Sequence, residues 1–188
     1  INENDIDEKA IKESEMIFLE GYLWDKGEPK SAFNKAMSFS RTKAMSLSDQ
    51  FCVERHKSDF LDLVSNKLDI IFANEQEIKS LIDAKDFEDV VEFGKQIRKI
   101  LIITRGEKGS VAIKNKEVIE CKSKTDLKII DLTGAGDLFA ACFLHGFINN
   151  ISTKEALEKG LMVLKMVKQA AAFSLKKEQS PKENIDFY

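Results

Sequence analysis

The seven residues from Asp131 to Asp137, Asp-Leu-Thr-Gly-Ala-Gly-Asp, place two carboxylates around small residues directly before a long apolar segment. Glycine lets the backbone turn tightly and approach a ligand closely, so Gly134 and Gly136 suit a turn with outward-facing amides. The start of a helix attracts anions by roughly 0.3–2 kcal/mol. Asp137 could accept a proton there from an attacking hydroxyl group, as phosphoryl transfer requires. The other interpretation of Asp137 is an ordinary N-cap.

Two further polar clusters follow segments that have the composition of buried strands. One is Ala-Asn-Glu-Gln-Glu, after residues 68–73, and the other is Thr-Arg-Gly-Glu-Lys-Gly, after residues 99–103. An amide beside a carboxylate, as in Asn74 and Glu77, suits a hard cation that keeps its waters, but it is also a common way to start a helix. The second cluster is either a ligand loop or a tight strand connection. It is not a Walker A loop, because no Gly-Lys-Ser/Thr closes it.

The elements that must position these clusters alternate between strand and helix patterns. Several strands are apolar without alternation, which is typical of a mainly parallel sheet covered on both faces. We therefore predict one α/β domain over residues 1–188, a three-layer α/β/α core with an added β-hairpin near residues 110–121. Because ligands bind beyond the carboxyl ends of the strands in such sheets, the three clusters should share one edge. Strands are predicted at 16–23, 43–48, 68–74, 99–104 and 128–131, and helices at 5–15, 31–41, 54–68, 78–82, 87–97, 137–149 and 153–175.

The composition narrows the class of protein. With 43% hydrophobic and 32% charged residues and a net charge of −3, the chain has no basic block that would favour nucleic acid. The sequence contains no run of 18 or more apolar residues, so no membrane-spanning helix is predicted. The cysteines, three in number and widely spaced, are expected to be reduced thiols of a cytoplasmic protein. The two histidines lie too far apart in sequence to predict a zinc site.

The first cluster resembles the Asp-x-Thr-Gly-Ala-Gly-Asp signature of the ribokinase-like, or PfkB-type, carbohydrate kinases. The resemblance implies ATP-dependent phosphorylation of a hydroxymethyl group on a sugar or nucleoside. It makes Asp137 the general base, and the amides of Gly134, Ala135 and Gly136 the anion hole. Asp131 and Thr133 offer oxygens for a monovalent cation such as K⁺, but further ligands for that cation are not evident in the sequence.

The other two clusters fit the same family, in its order and at about its spacing. Asn74 and Glu77 match Asn-x-x-Glu, which implies that Glu77 helps to hold Mg²⁺ largely through water and that Asn74 lies near the nucleotide phosphates. Thr104, Gly106 and Gly109 match the Thr-x-Gly-x-x-Gly nucleotide loop. Thr133 is counted with these residues as part of the cofactor site. The implied cofactors are ATP and Mg²⁺.

A narrower likeness, at residues 18–25 and 46–56, is to the adenosine-kinase-like sugar kinases of bacteria. Trp24, Phe51 and Arg55 would lie near a ligand, or else Trp24 and Phe51 are packing residues and Arg55 is a surface charge at a helix start. The likeness covers only the later part of a family member, without the N-terminal lid region and its acceptor contacts. The chain is then a fragment of a longer kinase or a truncated relative.

The sequence leaves rival functions and several properties open. The alternative from another class is a non-catalytic nucleotide- or nucleoside-binding module, and a purely structural α/β domain is a third interpretation. The acceptor is expected to be a small sugar or nucleoside, and the identity of that molecule is not fixed. The resemblance is also compatible with a homodimer.

Overall fold

A computed structural model describes residues 1–123 and 134–164 of the chain. By their internal contacts the residues fall into two compact units, Ile1–Ser123 and Lys124–Tyr188. The predicted strand at 128–131, the end of the predicted helix at 153–175, and the residues Asp131 and Thr133 lie outside the described residues.

The first unit is built on a six-stranded sheet in which the strands follow their order in the chain. The first four strands pair in parallel, and the last two continue the sheet in antiparallel pairing. The prediction of a mainly parallel sheet with an added hairpin is therefore confirmed. The strands are β1 (Ile17–Glu20), β2 (Lys43–Ser46), β3 (Ile70–Asn74), β4 (Ile100–Thr104), β5 (Ser110–Lys114) and β6 (Glu117–Cys121).

The helices of this unit pack on one face of the sheet. They are α1 (Glu8–Glu13), α2 (Pro29–Phe39), α3 (Gln50–Arg55), α4 (Lys57–Asp62), α5 (Glu75–Ile82) and α6 (Phe87–Gln96). Successive crossovers run in one direction along the sheet, and a single handedness of crossover then places every helix on the same side. Alternate strand residues, such as Leu19, Met45, Ile71 and Ile103, join the helices in one apolar core.

The second face of the sheet is also apolar and largely buried. Ala44, Ile70, Phe72, Ile102 and Ala112 are each at most 6% exposed. These residues alternate along the strands with the residues of the first core, so the continuous apolar runs in the sequence reflect burial on two faces.

Several predicted elements differ from the structure, and two of the differences have a clear cause. The predicted strand at 16–23 stops at Glu20, and a 3₁₀ turn covers Gly21–Asp25. A Cβ on Gly21 would lie 2.7 Å from the carbonyl oxygen of Leu47, so only glycine lets the chain pass this close to its neighbour. The strand pattern therefore continued into Tyr22 and Leu23, which are exposed in the turn.

The predicted helix at 54–68 is in fact three pieces, α3, α4 and a π-helical turn at Leu63–Lys67. It begins earlier than predicted because Asp49 caps α3, accepting a hydrogen bond of 2.7 Å from the amide of Cys52. It breaks at His56, whose backbone angles (φ −118°, ψ 24°) lie outside the helical region.

The predicted hairpin, formed by β5 and β6, turns at the polar residues Asn115 and Lys116. Asn115 and Lys116 have φ angles of 51° and 71°, and two successive residues with positive φ are typical of the tight turn that matches the twist of paired strands. The other antiparallel connection, between β4 and β5, belongs to the candidate site.

The described part of the second unit is a pair of helices, α7 (Ala135–Ile148) and α8 (residues 153–164). Two glycines allow close packing within it. A Cβ on Gly160 would lie 2.6 Å from the ring of Phe139, and one on Gly146 would lie 3.0 Å from the Cβ of Ala156. Within the described ranges, no helix has both the length and the apolar character needed to cross a membrane.

Candidate active site

Polar residues form a row across the carboxyl edge of the sheet in the first unit. Glu20 pairs with Ser46, Asn74 with Thr104, and Thr104 with Ser110. By strand alternation all five lie on the second face, opposite the helices. Two of the three sequence clusters, those that contain Asn74 and Thr104, are thus neighbours at one edge, as predicted.

Asn74 and Glu77 together start helix α5 as a complete capping box. The side-chain oxygen of Asn74 accepts hydrogen bonds of 2.9 Å from the amides of Gln76 and Glu77. In return, the backbone amide of Asn74 donates to Glu77 Oε2 at 2.9 Å, and its side-chain nitrogen donates to Glu77 Oε1. The helix-start interpretation of Asn-x-x-Glu is therefore confirmed, and any ligand role is additional to it.

Glu77 is a buried carboxyl group, since the residue is only 5% exposed. Its pKa is raised from 4.5 to about 7, chiefly by burial; the hydrogen bonds from Asn74 oppose the rise, and the nearby carboxylates of Asp49 and Glu20 add to it. A positive charge placed beside Glu77 would restore the ionised form. The site therefore offers hard oxygen donors in a carboxyl group that a nearby cation would ionise.

The loop from Thr104 to Gly109 connects β4 to β5, and the backbone geometry explains why glycine stands at both Gly106 and Gly109. Gly106 has φ 59° and Gly109 has φ 95°, in the region that favours glycine. A Cβ on Gly109 would lie 2.0 Å from the carbonyl oxygen of Cys121, whereas one on Gly106 would meet no heavy atom within 4 Å among the described residues. Gly109 is thus fixed by packing, and Gly106 leaves open space at the tip of the loop.

Beside this loop, Ser110 carries an unsatisfied polar group. Its hydroxyl is buried and has no hydrogen-bond partner in the part of the chain that the structure describes. A buried hydroxyl without a partner is uncommon, and it marks the site end of β5 as a place where a polar group can still be bound.

Helix α7 of the second unit begins at the predicted glycine turn. Gly134 is the N-cap residue, with φ 72°, and it offers no side chain to cap the helix. The first helical bond runs from the amide of Leu138 to the carbonyl of Gly134, so the amides of Ala135, Gly136 and Asp137 have no intrahelical acceptor. Asp137 is exposed in the first turn. It is therefore not the N-cap, and that alternative is wrong.

Of the three residues singled out in the narrower likeness, Trp24 is a packing residue. It is 6% exposed, and its ring meets those of Phe33 and Phe60 edge-on at 4.8 and 5.7 Å. Phe51, by contrast, is 70% exposed, so the packing interpretation is wrong for it. Arg55 lies in the last turn of α3 rather than at a helix start, and its guanidinium binds both oxygens of Asp25.

Asp25, Cys52 and His56 bring three metal-ligating atoms within 4.8 Å of one another, which sequence spacing did not suggest. These side chains are already engaged in contacts within the protein. Arg55 places a positive charge on Asp25, and the thiol of Cys52 donates to the carbonyl of Gly21 at 3.2 Å. Burial raises the pKa of Cys52 to about 11, so the thiol stays protonated. A cation would have to displace both arrangements.

The three cysteines are free thiols, as predicted.

Sequence patterns missed Glu20, Ser46, Ser110 and Arg105. Glu20, Ser46 and Ser110 share a feature that is visible in the sequence, because each is a polar residue at the end of a strand, and these strand ends form the polar edge of the sheet. Their common face, however, depends on the register between strands. The ion pair between Arg105 and Glu75 joins residues 30 apart and leaves no local pattern.

Comparison with known proteins identifies the family to which this architecture belongs. Residues 2–177 match the pfkB family of carbohydrate kinases. Adenosine kinase from Sinorhizobium meliloti superposes with a TM-score of 0.85 at 34% identity, covering 90% of this chain and 53% of that one. Cytidine kinase of Thermococcus kodakarensis is 32% identical over 111 residues, 56% of this chain and 38% of its own.

An E. coli protein described as a putative ribokinase II in complex with ATP and Mg²⁺ shares the fold at 18% identity, with a TM-score of 0.73, covering 90% of this chain and 63% of its own. The chain thus spans about half the length of the relatives that it matches. The six-stranded mixed sheet with its helices is that of the ribokinase fold. The chain belongs to the pfkB family of carbohydrate kinases.

Proposed function

We propose that the chain carries the nucleotide-binding and catalytic part of an ATP-dependent kinase that phosphorylates a hydroxymethyl group of a sugar or nucleoside. The observation that carries the proposal is the exposed carboxylate of Asp137 on a helix start without a side-chain cap. Membership of a carbohydrate kinase family supports it, as do relatives named for adenosine and cytidine.

In the proposed mechanism, Asp137 takes the proton from the acceptor hydroxyl while that oxygen bonds to the γ-phosphorus of ATP. The bond between this phosphorus and the bridging oxygen breaks, and ADP leaves with the electron pair. Charge on the transferred group is stabilised by the amides of Gly134, Ala135 and Gly136. Such catalysis consists mainly of positioning and electrostatics, and needs little further covalent chemistry from the protein.

On this proposal the nucleotide lies over the polar edge, with Asn74 near its phosphates and the Thr104–Gly109 loop beneath it. Mg²⁺, when bound, neutralises charge on the phosphate oxygens. Glu77 suits it through water, because both of its oxygens already accept hydrogen bonds from Asn74 and retain a second lone pair each. The roles of Thr133 and Asp131, the homodimer and the cytoplasmic location stay predictions.

A second candidate is a module that binds a nucleotide or nucleoside without turnover. The closed capping box favours it, since Asn74 and Glu77 already serve to start α5 without any ligand. In such a module the Asp137→Asn substitution would leave nucleotide affinity intact and there would be no turnover to lose.

The experiment is acceptor-dependent ADP formation by the 188-residue chain with MgATP and a panel of nucleosides and sugars, with Asp137→Asn as control. We expect ADP formation with one acceptor class and its loss in the variant. MgATP binding without ADP formation would favour the binding module. Acceptor-dependent ADP formation that persists in the variant would overturn the role of Asp137.

A further inference from the structure

Arg105 occupies a position that the Thr-x-Gly-x-x-Gly pattern leaves open, yet it is firmly held. Its side chain is only 15% exposed although it lies in a surface loop. Arginine is almost never this buried unless it is paired. The local structure therefore gives this side chain a specific set of partners.

The guanidinium of Arg105 makes two different contacts at once. Its Nε donates to Glu75 Oε2 at 2.8 Å, and its central carbon lies 3.4 Å from the centroid of the Phe87 ring. The hydrogen bond from Arg105 is the main cause that lowers the pKa of Glu75. Lys79, 3.4 Å away, also pairs with Glu75. A planar guanidinium can lie flat on an aromatic ring while its in-plane N–H groups donate hydrogen bonds, whereas an ammonium group is a compact charge without that fixed geometry.

The backbone of Arg105 closes the same loop. Its amide donates to the carbonyl of Gly109 at 2.8 Å, and its own carbonyl accepts from Lys108 at 3.1 Å. Because the side chain leaves from this closed ring, holding the guanidinium holds the loop as a unit.

The partner of Arg105 belongs to the other polar cluster. Asn74 and Thr104 are paired neighbours at the ends of β3 and β4, and Glu75 and Arg105 are the next residue in each case. The ion pair therefore ties the two chain segments together where they leave the sheet, directly beside the capping box of Glu77.

We propose that Arg105 is a positioning residue that fixes the Thr104–Gly109 loop relative to the Asn74–Glu77 segment, acting through Glu75. The proposal rests on the proposed function, in which both segments bind the nucleotide. Arg105 itself does not contact the nucleotide. The pair keeps the two halves of the nucleotide site at one spacing, so that ATP does not have to order them on binding.

The test measures the Kd and KM for MgATP in Arg105→Ala, Arg105→Lys, Glu75→Ala and the double alanine variant of the 188-residue chain. We expect Arg105→Ala to weaken MgATP binding by about 10- to 100-fold, with a smaller change in kcat at saturation. Glu75→Ala should weaken MgATP binding by a similar factor. The double variant should bind MgATP no more weakly than the single variant of lower affinity, because each substitution removes the same ion pair. Arg105→Lys should recover only part of the affinity.

Lys12→Ala is the matched control, because Lys12 also lies over an aromatic ring, that of Phe39, and pairs with Glu8. It should leave the affinity for MgATP unchanged. Amide hydrogen exchange gives a readout without nucleotide. The amides of Lys108 and Gly109 should exchange about tenfold faster in Arg105→Ala and not in Lys12→Ala.

Two results would overturn the positioning role while the kinase proposal stands. One is wild-type affinity in Arg105→Ala. The other is a silent Glu75→Ala beside an impaired Arg105→Ala, since Arg105 would then contact the nucleotide directly. If the unsubstituted chain fails to bind MgATP at all, the proposed function fails, and the positioning role with it.

Discussion

Helices α5 and α7 both carry a carboxylate three residues after the N-cap, and the two carboxylates have opposite surroundings. Glu77 in α5 is 5% exposed and receives two hydrogen bonds from its own N-cap residue. Asp137 in α7 is exposed behind Gly134, which has no side chain. The same local spacing thus gives one helix start that is closed by its own side chains and one that has no side-chain cap.

The N-cap residue causes the difference. Asn74 is bifunctional, because its amide oxygen accepts from the helix while its amide nitrogen donates to Glu77. Gly134 does neither, because it has no side chain, and the chain enters α7 through its φ of 72°. A capped carboxylate contributes to stability, whereas an uncapped helix start keeps its electrostatic attraction for a ligand.

The largest expected effect is that of Asp137→Asn on turnover. Removing a general base should lower kcat for acceptor-dependent ADP formation by about 100- to 10,000-fold. The free energy of unfolding should change by less than about 0.5 kcal/mol, because the residue is exposed. Steady-state kinetics and urea denaturation measure the two quantities.

Glu77→Gln tests the buried carboxylate in the opposite way, through stability against pH. The folded-state pKa of Glu77, about 7, lies above its ordinary 4.5, so the folded chain binds the extra proton between these values. The wild-type free energy of unfolding should therefore fall as pH rises from 4.5 to 7, by at most roughly 3 kcal/mol from this group.

In Glu77→Gln that part of the pH dependence should be absent, because glutamine does not titrate and still suits a capping box. Denaturation midpoints at pH 4.5, 5.5 and 7 provide the comparison. Parallel curves for the two proteins would mean that Glu77 titrates normally, and that the closed helix start costs nothing at neutral pH.

Asn74→Ala should destabilise the first unit by about 2 kcal/mol. It removes the side-chain cap of α5 and leaves the buried Oε1 of Glu77 without its donor from the Asn74 side chain, while the backbone amide of residue 74 can still donate to Oε2. Asn74→Asp is the informative partner, because it keeps the capping oxygen but places a second carboxylate against Glu77. If both variants unfold at the wild-type urea concentration, the box is not a source of stability.

The smallest effect on stability is expected for Gly136→Ala. Gly136 does not have a positive φ, and a Cβ there would meet no heavy atom within 4 Å among the described residues. Alanine should therefore stabilise α7 by about 0.4–1 kcal/mol. On the proposed function the methyl group would obstruct the phosphoryl group, so kcat should fall. Unchanged kinetics would mean that this glycine serves no ligand.

Much of the first unit was predictable because its signals are local. The apolar runs of β3 and β4, the polar turn at Asn115 and the helix start at Asn74 each lie within a few residues. The split of the predicted helix at 54–68 was not predictable, because the break at His56 depends on packing and on the ion pairs that Asp25 forms with its neighbours. Similarly, the strand at 16–23 ended early because of a close approach to Leu47.

The sequence by itself determined the family through a resemblance, because the three motifs that carry the resemblance consist of residue types at short spacing. It also selected Asn74, Glu77, Thr104 and Asp137 as candidates. Only the tertiary structure decided which carboxylate is buried and which is exposed, and that Arg105 binds Glu75. Burial and pairing depend on residues that are distant in the chain, and strand register brings those residues together.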